Sequence, residues 1–476
     1  MVTAAAESRD EALRLIAKYQ DVEECDSAFE LSWTRAQLEL RYLRLTAAQA
    51  TIYQEFAGHL IFPSARLRAS PERLARNEQG QSRLWAYGVS GDLPVFTVLI
   101  ANAAHLPLIR ELLQAHTYLR LQGFQCDFLV LNREPEAYDQ PLTEGLTRLI
   151  HGHTLHTGVD RPGGVFLRNV RHMSHEDLDL LLAVSRVVLS GSRGSLLQQL
   201  RRPVDAVTLP EDAVVGSQNE EPSPPLPFLD LAYFNGLGGF TTDGREYVIY
   251  LGPGSYTPLP WINVMANPSF GTVVSESGSG FTWAGNSQSN RLTPWHNDPV
   301  ADPCSDAIYL RDDETGAIWT PTPRPIREND AYRASHGQGY TSFEHNSHSI
   351  EQWLDVFVPA DEGGGAAVKI QRLRLRNVSS HRRKLTVTAY SEIVMGTDRE
   401  ETQMHVRSEW DSEAHALLFR NPYNTQFGER VAFAAVSPPA AGYSADRAIF
   451  LGPGGSTRRP AGLGRSAPSG RVGAGL

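Results

Sequence analysis

The sequence predicts an α+β protein of several domains, on three observations. An N-terminal stretch has helical periodicity, a middle stretch alternates short apolar runs with amphipathic ones, and a long remainder consists of strand-like runs between turn residues. The 476 residues leave room for about three domains at roughly 150 residues each.

Residues 1–90 are the helical segment. Leu31, Leu38, Leu40 and Leu43 recur at helical spacing between Ala28 and Leu45 and are expected to pack, and Thr46 stands where it caps a helix from Ala47 to Leu60. Residues 91–216 form an α/β segment. Strands are expected at Val95–Ala101, Asp127–Leu131, Val165–Leu167 and Val187–Leu189, with helices carrying Leu106, Ile109, Leu113 and Leu119 and spanning Ser174–Val184. The glycine turn from Gly191 to Ser195 lies between a strand and a helix, where an anion would fit, but matches no phosphate-loop pattern.

Residues 217–230 are a polar, proline-rich linker, and residues 231–451 are an antiparallel β region of sandwich or barrel type. Within it, Leu385, Val387 and Ala389 alternate with Lys384, Thr386 and Thr388, which predicts a strand with its apolar residues inward. A change of phase between Ile370 and Leu373 predicts a β-bulge at Gln371 and Arg372, and Gly236, Gly238 and Gly239 read as turn glycines. Residues 452–476, rich in Gly, Pro and Arg, are expected to be a flexible tail that reads as a chain cut short.

A formal net charge of −10 gives no basic face for nucleic acid or anionic lipid. Three distant cysteines make neither a disulfide framework nor a metal knuckle, and no apolar run approaches the ~20 residues of a membrane-spanning helix. A cytoplasmic protein is the expectation. His151, His153 and His156 lack a matching carboxylate or cysteine, so no metal site is assigned. Five of the eight tryptophans (Trp261, Trp283, Trp295, Trp319 and Trp353) lie in the β region, where flat aromatic faces either stack on pyranose rings or fill a core. The loop from Asn290 to Pro299 is rich in planar hydrogen-bonding groups. Its Arg291 either serves a ligand, pairs with Asp298 or caps backbone carbonyls.

The stretches YFNGLGGFTTDGREYVI, TPLPWINVMANPSFGTVVSESGSGFTW, NSQSNRLTPWHNDPVADP, AIYLRDDETGAIWTPTP and HGQGYTSF resemble the sugar phosphorylases of glycosyltransferase family 36, now glycoside hydrolase family 94. Within that family the chain looks most like the cyclic β-1,2-glucan synthases, and AFELSWTRAQLELRYLRL with LWAYGVSGDLPVFTVLI resembles the segment upstream of their phosphorylase unit.

The resemblance implies a β supersandwich for residues 231–451. In the family this is followed by an (α/α)6 barrel that carries a general-acid Asp, and inorganic phosphate is the co-substrate of an inverting reaction that needs no other cofactor. The chain ends before such a barrel, so no catalytic residue is expected in it, and activity alone is not expected. Carried over by motif, the substrate-binding or barrel-facing candidates are Trp261 and Asn263 of the PW-N element, Arg291, Trp295 and Asn297 of the loop, Tyr309, Arg311 and Asp312 of the YLRD strand, and His336 and Tyr340 of the HGxGY turn. The implied partner is a β-glucan oligosaccharide, with pairing of two copies through the sandwich as an allowed assembly. Full-length synthase relatives are anchored in the inner membrane. The alternative is a stand-alone, non-catalytic carbohydrate-binding or oligomerisation module.

Overall fold

Runs such as VFTVLI and DFLVLN are apolar on both sides, which suits strands covered on both faces. In the computed structural model, β1 (Val95–Ile100), β2 (Asp127–Asn132), β3 (Val165–Asn169) and β4 (Ser185–Ser190) form a parallel sheet in the order β3-β2-β1-β4. The structure describes residues 6–134, 141–153 (side chains to 152), 158–201, 223–360, 366–452, 454–464 and 470–473. These fall into two units, Met1–Ala69 with Ser82–Val204, and Ser70–Gln81 with Asp205–Leu476.

In the first unit, α1 (Arg9–Tyr19), α2 (Val22–Tyr42) and α3 (Ala47–Ile61) precede the sheet. Thr46 caps α3 through a reciprocal capping box with Gln49. Tyr53, Phe56 and Leu60 of α3 share one core with Phe96, Val98 and Phe128 of the sheet, so the helical and α/β segments fold together. Leu40 and Leu43 pack as expected, whereas Leu31 and Leu38 are exposed. The helix α4 (Pro71–Arg76) belongs to the second unit, and α5 (Leu106–Leu121), α6 (Pro141–His153), α7 (His175–Val184) and α8 (Leu196–Leu200) complete the first. The turn at Gly191–Ser195 is not a ready anion site: the Glu111 carboxylate already accepts from the Leu196 amide (3.1 Å), and the His105 ring fills the space beside Gly191. His151 is exposed, while His156 and the His153 side chain lie outside the described residues.

The second unit is built of antiparallel strands. A seven-stranded sheet has the order β16-β15-β14-β13-β7-β6-β5. Its members are β5 (Leu231–Ala232), β6 (Gly238–Thr241), β7 (Glu246–Leu251), β13 (Tyr332–Gly337), β14 (Tyr340–Ser347), β15 (Ile350–Phe357) and β16 (Ile370–Asn377). Three smaller sheets follow. The first joins β8 (Ile262–Asn267), β9 (Phe270–Ser275) and β10 (Gly280–Ala284); the second joins β11 (Asp306–Asp312), β12 (Ile318–Trp319) and β17 (Leu385–Ser391). The third joins β18 (Arg407–Asp411), β19 (Ala416–Arg420) and β20 (Val431–Ala435). The short helices α9 (Arg399–Thr402) and α10 (Arg447–Leu451) lie in the connections. Ile249, Leu251, Phe343 and Leu354 of the large sheet meet Met265, Val274 and Ile308 of its neighbours in one core, the sheet-on-sheet packing of a sandwich.

Several local expectations are corrected. The β15–β16 register runs unbroken from Ile350↔Asn377 to Phe357↔Ile370, so there is no bulge; the phase change arises because Ile370 faces outward while Leu373 and Leu375 face the core. In β17, Val387 and Ala389 are exposed and Thr386, Thr388 and Tyr390 are the more covered residues. Gly238 and Gly239 lie within β6, where a Cβ would come 2.7 Å from the Val248 carbonyl or 2.8 Å from that of Ala232; only Gly236 takes a positive φ, of 99°.

Residues 223–230 of the expected linker run along the large sheet. The Pro227 carbonyl accepts from Tyr250 Oη (2.8 Å) and Arg333 (3.0 Å), and Phe228 stacks on Tyr250. Part of the expected flexible tail also packs. Leu463 is buried with Tyr309 and Ile318, and the Thr457 carbonyl accepts from Tyr309 Oη (2.6 Å). The hydrophobic Phe450–Leu451 and Leu463 steps anchor this stretch despite its glycines.

Candidate functional site

The hairpin β13–β14 turns through Gln338 and Gly339 and stands against β7 and β8. An open groove of about 460 Å³ lies there, lined by Phe240, Arg245, Tyr247, Asn263, Val264 and Gln338 among others. The Phe240 and Tyr247 rings meet edge to face at 5.0 Å, and Tyr247 meets Trp261 at 5.8 Å. Apolar ring faces beside an amide and a guanidinium suit a ligand with both C–H faces and hydroxyls.

Beneath the groove runs a continuous hydrogen-bond network. The Asn263 Nδ2 group donates to the carbonyls of Gly337 and Tyr340 (both 2.8 Å) and to Thr341 Oγ1 (3.1 Å), tying β8 to the hairpin. His336 Nε2 lies 3.0 Å from the Trp261 carbonyl, which only accepts, so this nitrogen carries the proton and Nδ1 accepts from Thr341 Oγ1 (3.0 Å). A neutral imidazole satisfies both contacts. Burial lowers the His336 pKa, opposed in part by the bond to the Trp261 carbonyl. The absence of a side chain at Gly337 lets the Tyr340 ring fold across the hairpin, where a Cβ would approach it to 2.4 Å. Tyr340 Oη donates to Glu246 (2.6 Å), and that bond pushes its pKa up to about 12.

Thus Trp261, Asn263, His336 and Tyr340 come together, while the other candidates lie elsewhere. Arg291 Nε and Nη1 donate to the Ser287 and Thr397 carbonyls (3.0 and 2.9 Å), the carbonyl-capping alternative; Asp298 instead accepts from the Val300 and Ala301 amides. Trp295 packs on Phe281 at 5.0 Å, and Asn297 is exposed in a left-handed conformation (φ 49°). Tyr309 and Arg311 hold the 447–464 stretch, Arg311 Nη1 donating to the Leu463 carbonyl (2.6 Å). Asp312 is fully buried against Arg383 and accepts the Glu314 and Thr315 amides. Burial alone would raise its pKa, but the Thr315 amide, Arg383 and the Glu314 amide together hold it low. Trp319 is a core residue, its indole N–H donating to Gln352 (3.1 Å).

Sequence reasoning missed Phe240, Arg245, Tyr247 and Gln338. It also missed Glu276, whose carboxylate accepts from the Trp261 amide (2.8 Å) and from Thr257 Oγ1 and so sets the loop leading into β8. Burial raises the Glu276 pKa, with those two bonds opposing. The recoverable signal was the strand-like run EYVIYL, whose period of two puts Tyr247 on one face with Ile249 and Leu251.

The second unit is thus a β-sandwich with an open groove at its hairpin end. Residues 245–476 match the family model described as glycosyl hydrolase 94, supersandwich domain, and this region of the chain belongs to that family. The chain is 34% identical over 470 residues, 96% of its length, to the cyclic beta-(1,2)-glucan synthase NdvB of Rhizobium meliloti (strain 1021), of which it spans 16%. It is 29% identical over 222 residues to the N,N'-diacetylchitobiose phosphorylase of Vibrio furnissii and 30% identical over 240 residues to the solabiose phosphorylase of Paenibacillus borealis. These matches take in 45% and 49% of the chain and 27% and 30% of those relatives. The family is one of carbohydrate-processing proteins. Among the described residues, no helix is long and apolar enough to cross a membrane.

Proposed function

We propose that this chain supplies the carbohydrate-binding sandwich of a β-glucan-processing protein similar to the cyclic β-1,2-glucan synthases, and that the groove between β7, β8 and the β13–β14 hairpin receives glucosyl units. The observation that carries this reading is the pairing of the Phe240 and Tyr247 rings with Asn263, Arg245 and Gln338 around one open groove. The polar groups beneath it support binding rather than bond cleavage: Asn263, His336 and Tyr340 are spent on internal contacts, and Glu246 is held by Tyr340. The general acid and the phosphate-assisted step belong, on this reading, to other parts of the relatives.

The test is titration of the purified chain with β-1,2-glucooligosaccharides, followed by calorimetry and by tyrosine and tryptophan fluorescence. Saturable binding that Tyr247→Ala abolishes is expected, with no glucose 1-phosphate released in the presence of phosphate. Binding unchanged in Tyr247→Ala, or sustained glucose 1-phosphate release, would overturn the reading.

A further inference from the structure

Gly337 of β13 pairs with Tyr340 of β14 on one side and with Glu246 of β7 on the other, so the three residues form a row across neighbouring strands beside the groove. Because Gly337 carries only a hydrogen, the Tyr340 ring crosses the middle strand and its Oη donates to Oε1 of Glu246 at 2.6 Å. Glu246 is half-buried and lines the groove. Among the described residues its Oε2 accepts no hydrogen bond and no Lys or Arg pairs with it; the neighbouring Arg245 reaches Asp243 instead, at 3.5 Å. The nearby Asp243, Asn263 and His336 are already committed. Asp243 accepts from Thr241 Oγ1 (2.6 Å) and the Arg245 amide (3.2 Å) within its own turn, while Asn263 Nδ2 and His336 Nε2 donate to backbone carbonyls. Glu246 is therefore the carboxylate that the fold holds in place at the groove with an oxygen left for a ligand.

The chemistry of that oxygen narrows what can sit against it. An ionised carboxylate only accepts, so the ligand must donate; the ring and glycosidic oxygens of a sugar cannot, and its hydroxyls can. The two oxygens of one carboxylate match two adjacent hydroxyls held side by side, and a hydrogen bond to a charged acceptor is roughly twice as strong as a neutral one. A β-1,2-linked glucose chain leaves the 3- and 4-hydroxyls free on every interior unit, an adjacent equatorial pair. A β-1,3 linkage consumes one of that pair and leaves an interior unit with no two adjacent hydroxyls. A site that reads the pair therefore tells the two linkages apart, because the wrong chain leaves the carboxylate without its donors.

We propose that Glu246 is the linkage-reading residue of the groove, accepting the adjacent hydroxyl pair of an interior glucosyl unit, with Tyr340 as the residue that positions its carboxylate. The proposal rests on the reading of the groove as a glucosyl site. Calorimetric titration of the intact chain with β-1,2- and β-1,3-linked glucooligosaccharides of equal length tests it. The β-1,2 chain is expected to bind about tenfold more tightly or better. That ratio collapses toward one in Glu246→Gln, which keeps an oxygen for Tyr340 to donate to and so preserves the hairpin, as circular dichroism and the melting curve would confirm. Tyr340→Phe leaves the carboxylate in place without its anchor and narrows the ratio as well, a second reading of the same role. A merely structural Glu246 would weaken both ligands alike and leave the ratio where it was. A ratio unchanged in Glu246→Gln, or a wild-type chain that binds both linkages equally, overturns this proposal while the glucosyl groove stands. No binding of either oligosaccharide removes both.

Discussion

Replacing Arg383 by methionine would leave the Asp312 carboxylate inside the sandwich with only the Glu314 and Thr315 amides for company. Both side chains of the pair are almost completely buried, with Arg383 at 7% and Asp312 at 1% exposure, and the contact is two-pronged, Nε of Arg383 donating to Asp312 Oδ2 at 2.7 Å alongside Nη2. Removing one partner of such a pair costs about 3–5 kcal/mol because the other charge stays desolvated, whereas replacing both by apolar groups is often nearly neutral. The expected result is therefore a loss of about 3–5 kcal/mol in Arg383→Met and recovery of most of it in Asp312→Leu/Arg383→Met. Urea unfolding followed by tryptophan fluorescence reads it, since Trp319 lies in the core cluster that β11 contributes to. A loss below about 1 kcal/mol in the single variant would show that Asp312 does not depend on Arg383. That outcome would restore Asp312 as a candidate for a role outside the fold.

Other outcomes follow from the same contacts. Asn263→Leu removes the donors to Gly337, Tyr340 and Thr341 and should cost about 1–3 kcal/mol; hydrogen exchange at the hairpin amides should quicken, and unchanged protection would separate Asn263 from hairpin anchoring. His116 is buried with its Nε2 against the Cys126 carbonyl, and burial lowers its pKa to about 4. The unfolded chain thus binds this proton first, so stability of the first unit should fall as pH drops from about 6.5 toward 4, by on the order of 3 kcal/mol in all. Denaturant titrations at several pH values should show that slope, and His116→Gln should flatten it. Glu328 lies between His345 and His348 (2.8 and 2.6 Å), and although burial opposes ionisation, the two imidazoles bring its pKa down to about 2; the second unit should accordingly weaken as pH falls from about 4.5 toward 2, and Glu328→Gln should remove that dependence. Gly238→Ala should lower the melting temperature of the second unit, since its Cβ would press on the Val248 carbonyl; an unchanged melting temperature would mean that β6 shifts freely.

The parallel sheet was legible because its strands are apolar on both sides and its helices repeat at helical spacing, two periods that do not mimic each other. Ten of the sixteen described sandwich strands were legible for the same kind of reason, but β5, β6, β8, β13, β14 and β18 were not. INVMAN, YRASHG and YTSFEHNS carry polar residues at covered positions: Arg333 and Glu344 pair across their own hairpin, His345 meets Glu328, and Asn263 finds its acceptor at Gly337, 74 residues away, which no local pattern reveals. The phase errors in β16 and β17 share one cause: Ile370, Val387 and Ala389 are apolar yet face outward, and alternation cannot tell which face is wet. For the site, motif resemblance named Trp261, Asn263, His336 and Tyr340, which the structure brings together, while Tyr309, Arg311 and Asp312 share a strand whose neighbours in space are Arg383 and the 447–464 stretch. Sequence distance hid those neighbours.

The peptide from Ser223 to Asp230 sets where the sandwich can be trimmed. Ser223 Oγ accepts from the Ser349 amide, Pro224 from Asn346, and Pro227 from both Tyr250 and Arg333. A recombinant fragment begun at Leu231 would strip the cover from three adjoining strands and leave the Arg333 guanidinium and the Tyr250 phenol facing water along their edge. The shortest fragment worth expressing therefore begins before Ser223, and what looks like a hinge in the amino-acid string behaves, from that serine onward, as the outermost thread of the domain.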